Sequence, residues 1–176
     1  MAKRIEILIS GYGGQGVVRI GQILGQAAVS QGLYTSMLIS HGTETRGGYV
    51  RSQVVISDEF IDSPVVERPD FFCAFSGIAY TMFKGLCGSQ SLILHNPDIV
   101  SPDPGLASPH WGIKAEAVAT EELGDAVFAN VIFLGALSSR LALLTSEHIV
   151  EAIRERLPQR FHEKNLQAFA LGRARK

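Results

Sequence analysis

The sequence predicts an α/β domain of three layers on a mixed, partly parallel sheet. Three observations predict it. The chain opens with an apolar run, a glycine-rich turn and a helical pattern, in that order. Short apolar runs rich in Ile, Val and Phe recur through the first half. Helical periodicity dominates the second half. At 176 residues the chain is long enough to bury a core, and residues 1–176 read as one domain. An apolar fraction of 46% against a charged fraction of 19% excludes a disordered chain.

The elements follow in order. The Ile-rich run RIEILIS is the first strand. Val17, Ile20, Leu24, Ala27 and Ala28 recur at helical spacing, and Gly32 stops that helix. YTSMLISH is the second strand, so the first forty residues form a βαβ unit, parallel and right-handed by default. Gly21 and Gly25 share a helix face, which predicts tight packing against the sheet. YVRSQVVIS alternates as a strand, and RPDFFCAFS gives another after Pro69. A short helix near IAYTMFKGL leads to the strand QSLILHN. Pro97 to Gly112 holds four of the seven prolines and reads as a surface loop. The polar stretch KAEAVATEELGDA precedes a long buried helix within AVFANVIFLGALSSRLALL. Thr145 or Ser146 caps EHIVEAIRERL, and EKNLQAFALGRA closes the chain as an amphipathic helix.

Several function classes are excluded. A formal net charge of -1 offers nothing to nucleic acid or an anionic membrane. The opening apolar run is too short for a signal peptide. The longest apolar stretch carries Asn130, Ser138, Ser139 and Arg140, which a membrane span rarely tolerates together. Cys73 and Cys87 read as buried small hydrophobes. Two thiols without clustered histidines do not hold an iron–sulfur cluster or structural zinc, and no other metal site is predicted. These points place the chain in a reducing cytoplasm.

The turn GYGGQG matches G-x-G-x-x-G through Gly11, Gly13 and Gly16. Glycines permit positive φ and let backbone N–H groups approach an anion at a helix N-terminus. A dinucleotide site also wants an acid at the end of the second strand. Here that strand ends at Ser40 and His41, while Gly14 and Gln15 depart from the usual fingerprint. The expectation is therefore a Rossmann-like domain that does not bind a dinucleotide. The turn receives another anionic ligand or a partner surface; a purely structural turn and an NAD(P)-binding oxidoreductase domain are the alternatives.

A second glycine loop, SHGTETRGGYVRS, carries Glu44, Arg46, Gly47 and Gly48. It follows the C-terminal end of a strand, where α/β sheets bind ligands, so both loops are expected on one edge. Arg46 suits a carboxylate or phosphate there. No nucleophile elbow, phosphate-binding lysine or catalytic set is visible, so no catalytic residue is assigned.

Together, GYGGQGVVRIGQILGQAA, GTETRGG, VVISDEFIDSP followed by PDFF, and NVIFLGAL resemble the gamma subunit of the 2-oxoacid:ferredoxin oxidoreductases. The likeness runs from Ile5 to the closing helix with Asn165 and Phe169. Multidomain pyruvate:ferredoxin oxidoreductases carry the same unit fused to others. The resemblance implies oxidative decarboxylation of a 2-oxoacid, acyl transfer to coenzyme A and reduction of ferredoxin. It implies alpha and beta subunits, with or without a delta subunit, that carry thiamine diphosphate and iron–sulfur clusters. It gives this chain the coenzyme A side of the site. The site residues are then Gly11, Gly13, Gly14, Gln15, Gly16, Glu44, Arg46, Gly47 and Gly48, in binding and interface roles. GTETRGG is similar to the E-x-RGG form of 2-oxoglutarate enzymes, ahead of the branched-chain and pyruvate types.

Overall fold

The computed structural model describes residues 3–42 and 48–175. Six strands form one sheet: β1 (Arg4–Tyr12), β2 (Tyr34–His41), β3 (Tyr49–Ser57), β4 (Phe71–Ala74), β5 (Leu92–His95) and β6 (His110–Gly112). Their order is β2-β3-β1-β4-β5-β6. β3 runs antiparallel to β1 and β2, whereas β1, β4, β5 and β6 are parallel neighbours. The helices are α1 (Val17–Ser30), α2 (Gly77–Phe83), α3 (Ala115–Leu123), α4 (Ala129–Ser138), α5 (Ser146–Arg156) and α6 (His162–Arg173).

The sheet has a core on each face, which makes the three layers. Ile7, Ile9, Val54, Ile56 and Leu94 point into the larger core with α1, α3, α4, α5 and α6. Leu8, Val55, Phe72 and Ile93 point the other way, under α2 and Val66 and Val100 of the flanking loops. This is period-2 alternation in strands that are covered on both sides. None of the described helices is long and apolar enough to cross a membrane. α4 is buried almost all round, because α6, α3 and α1 all pack on it. It is shorter than its apolar run. A 3-10 turn precedes it, and Ser138 and Ser139 donate their hydroxyls back to the carbonyls of Gly135 and Ala136 where it ends.

The opening βαβ unit has a strand inserted in it. β1 and β2 run in the same direction, but β3 lies between them and pairs with both along their lengths. Burial explains the order. β3 is buried along most of its length, which suits an interior strand, whereas no residue of β2 is buried. Two more differences lie in segments with weak local patterns. The proline-rich loop ends in the three-residue strand β6, and KAEAVATEEL forms α3. Thr145 precedes α5 as its cap residue, yet its hydroxyl pairs with His148 Nδ1 at 2.7 Å and caps no backbone group.

Several local readings hold. Gly32 has φ 80°, and the N–H groups of Gly32 and Leu33 bond the carbonyls of Val29 and Ala28 to close a Schellman turn. At Gly21 an added Cβ would strike Ser52 and Met37, so this helix face does lie against the sheet. Cys73 and Cys87 are buried on opposite faces of the sheet.

His95, 3% exposed at the end of β5, stands edge-on to the His110 ring at 5.6 Å. Burial holds its pKa below the ordinary 6.5. The unfolded chain therefore takes up this proton more readily than the folded one. The contribution to stability is full above pH 6.5 and is lost as pH falls below it. Urea midpoints across this range should fall with acid in the native chain and vary less in His95→Gln.

Candidate functional site

The C-terminal ends of β1, β2, β4, β5 and β6 share one edge of the sheet. β1 leads into α1 on one face and β4 into α2 on the other. Between them lies a topological switch point, the place where open α/β sheets take ligands. The glycine turn sits there.

Each residue of the turn has a distinct task. Gly11 still belongs to β1, opposite Val50, and an added Cβ would strike Gln15 Oε1 and stand 2.8 Å from Phe75 Cβ. Gly14 has φ 92° and Gly16 has φ 80°, which require glycine on backbone grounds. Gly16 also lies against the Asn130 side chain of α4, which would have to shift to admit a methyl group. Gly13 has neither constraint: its φ is not positive, and nothing lies within 4 Å of an added Cβ. The internal packing gives no reason for glycine at position 13.

Gln15 locks the turn. Its Oε1 accepts from the Tyr12 N–H at 2.7 Å, and its Nε2 donates to the Phe75 carbonyl at 2.9 Å. The Phe75 N–H in turn donates to the Ser10 carbonyl at 2.8 Å. One side chain thus ties the loop after β1 to the loop after β4. Gln15→Ala leaves two partly buried backbone groups without partners and should cost about 2 kcal/mol. Denaturant titration would read this as a lower midpoint with an unchanged slope.

Among the described residues no side chain caps the first N–H groups of α1. Gly16 is the N-cap and offers no side-chain acceptor, and the first turn holds no acidic residue. It holds Arg19 instead. A cation there opposes the dipole of α1, so Arg19 gains nothing from its own helix. Arg19 donates one guanidinium N–H to the Arg156 carbonyl at 2.9 Å. Gly13, Gly14, Gly16, Arg19, Gln22 and His41 line a groove of about 480 Å³ in front of this helix end. A smaller hollow of about 160 Å³ lies on the other side of Gly14, between Gln15, Phe75, Glu116, Asn130 and Phe133.

The second glycine loop is only partly described. Glu44, Arg46 and Gly47 lie outside the described residues, while Gly48 is half-buried just before β3. The bases of the two loops do lie on the same edge, since Tyr12 pairs with Tyr49 and the Gly42 N–H bonds the Tyr49 carbonyl at 2.8 Å. Sequence reasoning missed Arg19, Gln22, Phe75 and Asn130. A cation in the first turn of α1 was the available signal for Arg19. Nothing local marks the others, because distant segments bring them in.

The model of the pyruvate ferredoxin/flavodoxin oxidoreductase family matches residues 6–175. The chain belongs to this family. It is 38% identical over 175 residues to the 2-oxoglutarate synthase subunit KorC of Methanocaldococcus jannaschii, covering 96% of this chain and 92% of that one. Among solved structures it resembles the gamma subunit of a keto/oxoacid ferredoxin oxidoreductase from Geobacter sulfurreducens. That match has a TM-score of 0.85 and 28% identity over 96% of this chain and 95% of that one. It also resembles 2-oxoglutarate:ferredoxin oxidoreductase from Magnetococcus marinus, with a TM-score of 0.88 and 25% identity. There it covers 98% of this chain and 31% of the longer neighbour, whose structure holds 2-oxoglutarate, coenzyme A and succinyl-CoA. The chain is thus a gamma-type subunit of the 2-oxoacid:ferredoxin oxidoreductases, similar over nearly its full length to the 2-oxoglutarate type.

The glycine turn of this chain differs from a dinucleotide site in one physical respect. β3 separates β1 from β2, and β2 ends at His41, so among the described residues no acid stands at the C-terminal end of a strand beside the turn. Cys73 and Cys87 lie on opposite faces of the sheet, so the two do not meet at one cluster. Burial pushes the Cys73 thiol up to about 12 and the Cys87 thiol to about 11.

Proposed function

We propose that this gamma subunit, acting as one domain over residues 1–176, forms the coenzyme A side of the site in a 2-oxoglutarate:ferredoxin oxidoreductase of the reducing cytoplasm. The assembled enzyme cleaves the bond between the keto carbon and the carboxylate, releases carbon dioxide and joins the acyl carbon to the coenzyme A sulfur. The electron pair passes to ferredoxin. Thiamine diphosphate and iron–sulfur clusters belong to the alpha and beta subunits, with or without a delta subunit. Together they supply the electron sink and the electron path.

The observation that carries this reading is the groove at the open N-terminus of α1. Coenzyme A ends in a phosphorylated ADP group, and its phosphates suit free backbone N–H groups at a helix start. Val17 and Val18 offer those N–H groups, Arg19 offers a cation, and Gly13 lets the backbone come close. Gln15, Gly14, Gly11 and Gly16 hold the turn in shape. Glu44, Arg46, Gly47 and Gly48 of the second loop complete the proposed set in binding or interface roles. This chain's part is binding and orientation, with no proton transfer.

The test is steady-state kinetics of the assembled complex carrying Arg19→Gln, with Arg46→Gln as a second variant. Loss of a charge-assisted contact should raise KM for coenzyme A about tenfold to a hundredfold, with kcat and KM for the 2-oxoacid nearly unchanged. An intact complex with an unaltered KM for coenzyme A would refute the reading. The turn would then serve subunit docking, the role that the Gln15 lock favours.

A further inference from the structure

Strand β2 is one edge of the sheet, and among the described residues no strand pairs with its outer side. It is eight residues long and contains no charge and no proline. Natural edges of this length are usually blunted by lysine, proline or a bulge. Here Ile39 keeps 44% of its surface exposed and Tyr34 51%, and Met37 and Leu38 are only half-buried. An edge this long and neutral is a template for another strand.

The side chains say which strand. Thr35, Met37, Ile39 and His41 face α1, since their partners on β3 are Ile56, Val54, Ser52 and Val50. Ser36, Leu38 and Ser40 face the other way. Around Leu38 the order is close to a palindrome: Met37 and Ile39 flank it, then Ser36 and Ser40, then Thr35 and His41. We infer that β2 pairs antiparallel with β2 of a second copy of this chain, across a two-fold axis at Leu38. An axis normal to the sheet keeps each face on its own side, as an isologous contact requires.

That register puts Leu38 opposite Leu38, Met37 opposite Ile39, and Ser36 opposite Ser40. Like meets like in every central pair, which is what stabilises a strand pairing. It also sets Tyr34 opposite Gly42 of the copy, so an aromatic ring covers a residue without a side chain. Phe60, 80% exposed, packs edge-on against that Tyr34 at 6.3 Å and enlarges the apolar cover. Neighbouring registers lose this match. An axis at Met37 sets Leu38 against Ser36 and Ile39 against Thr35. An axis at Ile39 sets Leu38 against Ser40 and Met37 against His41. Because β2 carries no charge, no axis brings like charges together.

Sedimentation equilibrium of the full chain over a concentration series tests the pairing. A dimer is expected, and Leu38→Lys should weaken it about a hundredfold or more, since two ammonium groups would meet at the axis. Its far-UV circular dichroism should be that of the native chain. Disulfide trapping fixes the register, because facing Cα atoms of an antiparallel pair lie within disulfide range. Leu38→Cys should cross-link with itself. Ser36→Cys and Ser40→Cys should each stay uncross-linked alone but cross-link when mixed. Cys73 and Cys87 are buried and should not contribute. A monomer at every concentration, a dimer indifferent to Leu38→Lys, or cross-linking at another register would overturn the proposal. So would an assembled complex in which these cysteines link only to a different subunit.

Discussion

Replacing Gly172 by alanine is expected to lower stability by about 3 kcal/mol, because the added methyl group meets backbone and nothing can yield. Gly172 of α6 and Gly135 of α4 face each other where the two helices cross. A Cβ at Gly172 would strike the Ile132 carbonyl oxygen, 2.8 Å from Ala136 N and 2.9 Å from Gly135 Cα. A Cβ at Gly135 would strike the Phe169 carbonyl oxygen and stand 3.0 Å from Gly172 Cα. Side chains can change rotamer, but two helical backbones in contact can only move apart. Separation would loosen Ala168 and Phe169 of α6 from the core beneath them. For a chain of this size the expected loss corresponds to a fall of about 6–12 °C in Tm. Gly85→Ala is the control. It stands in open space without a positive φ and should change stability by less than about 0.5 kcal/mol. Equal effects at the two positions would show that α4 and α6 do not touch in this way.

Gly16→Ala should cost a similar amount for two separable reasons, and it should also damage the groove. The φ of 80° costs an alanine about 1 kcal/mol. The methyl group would also overlap the Asn130 amide. Adding Asn130→Gly opens that space and should restore the steric part, leaving the backbone part. In a double-mutant cycle the coupling should be about 1–2 kcal/mol. Zero coupling would mean that Asn130 does not lie against the turn. In the assembled enzyme Gly16→Ala should also raise KM for coenzyme A, since Gly16 sets the direction of the open N–H groups of Val17 and Val18. Asn130→Gly alone should leave that KM nearly unchanged.

Much of the site was legible in the chain. The turn from Gly11 to Gly16 is recognisable from an apolar strand before it and helical spacing after it, and the structure puts it at the predicted edge. The end of α1 at Gly32 is equally local, since a Schellman turn is closed by residues adjacent in sequence. What each glycine does was not legible. Gly13, Gly14 and Gly16 look alike in sequence, yet one is open, one needs only a left-handed backbone, and one needs that backbone and empty space besides. Gln15 stood out only as a departure from a fingerprint. That it ties two loops together depends on Phe75, which reaches it through the pairing of β4 with β1.

Sequence alone determined the α/β class, the order of the main strands and helices, the position of the glycine turn and the family likeness. Each of these rests on periodicity and turn chemistry within a few neighbouring residues. Only the tertiary structure decided that β3 separates β1 from β2, that β2 is left as an open edge, and that α4 and α6 meet backbone to backbone. Local pattern records which face of an element is buried. It does not record against what, because strand order and helix crossing are settled by burial and hydrogen bonding between segments far apart in the chain.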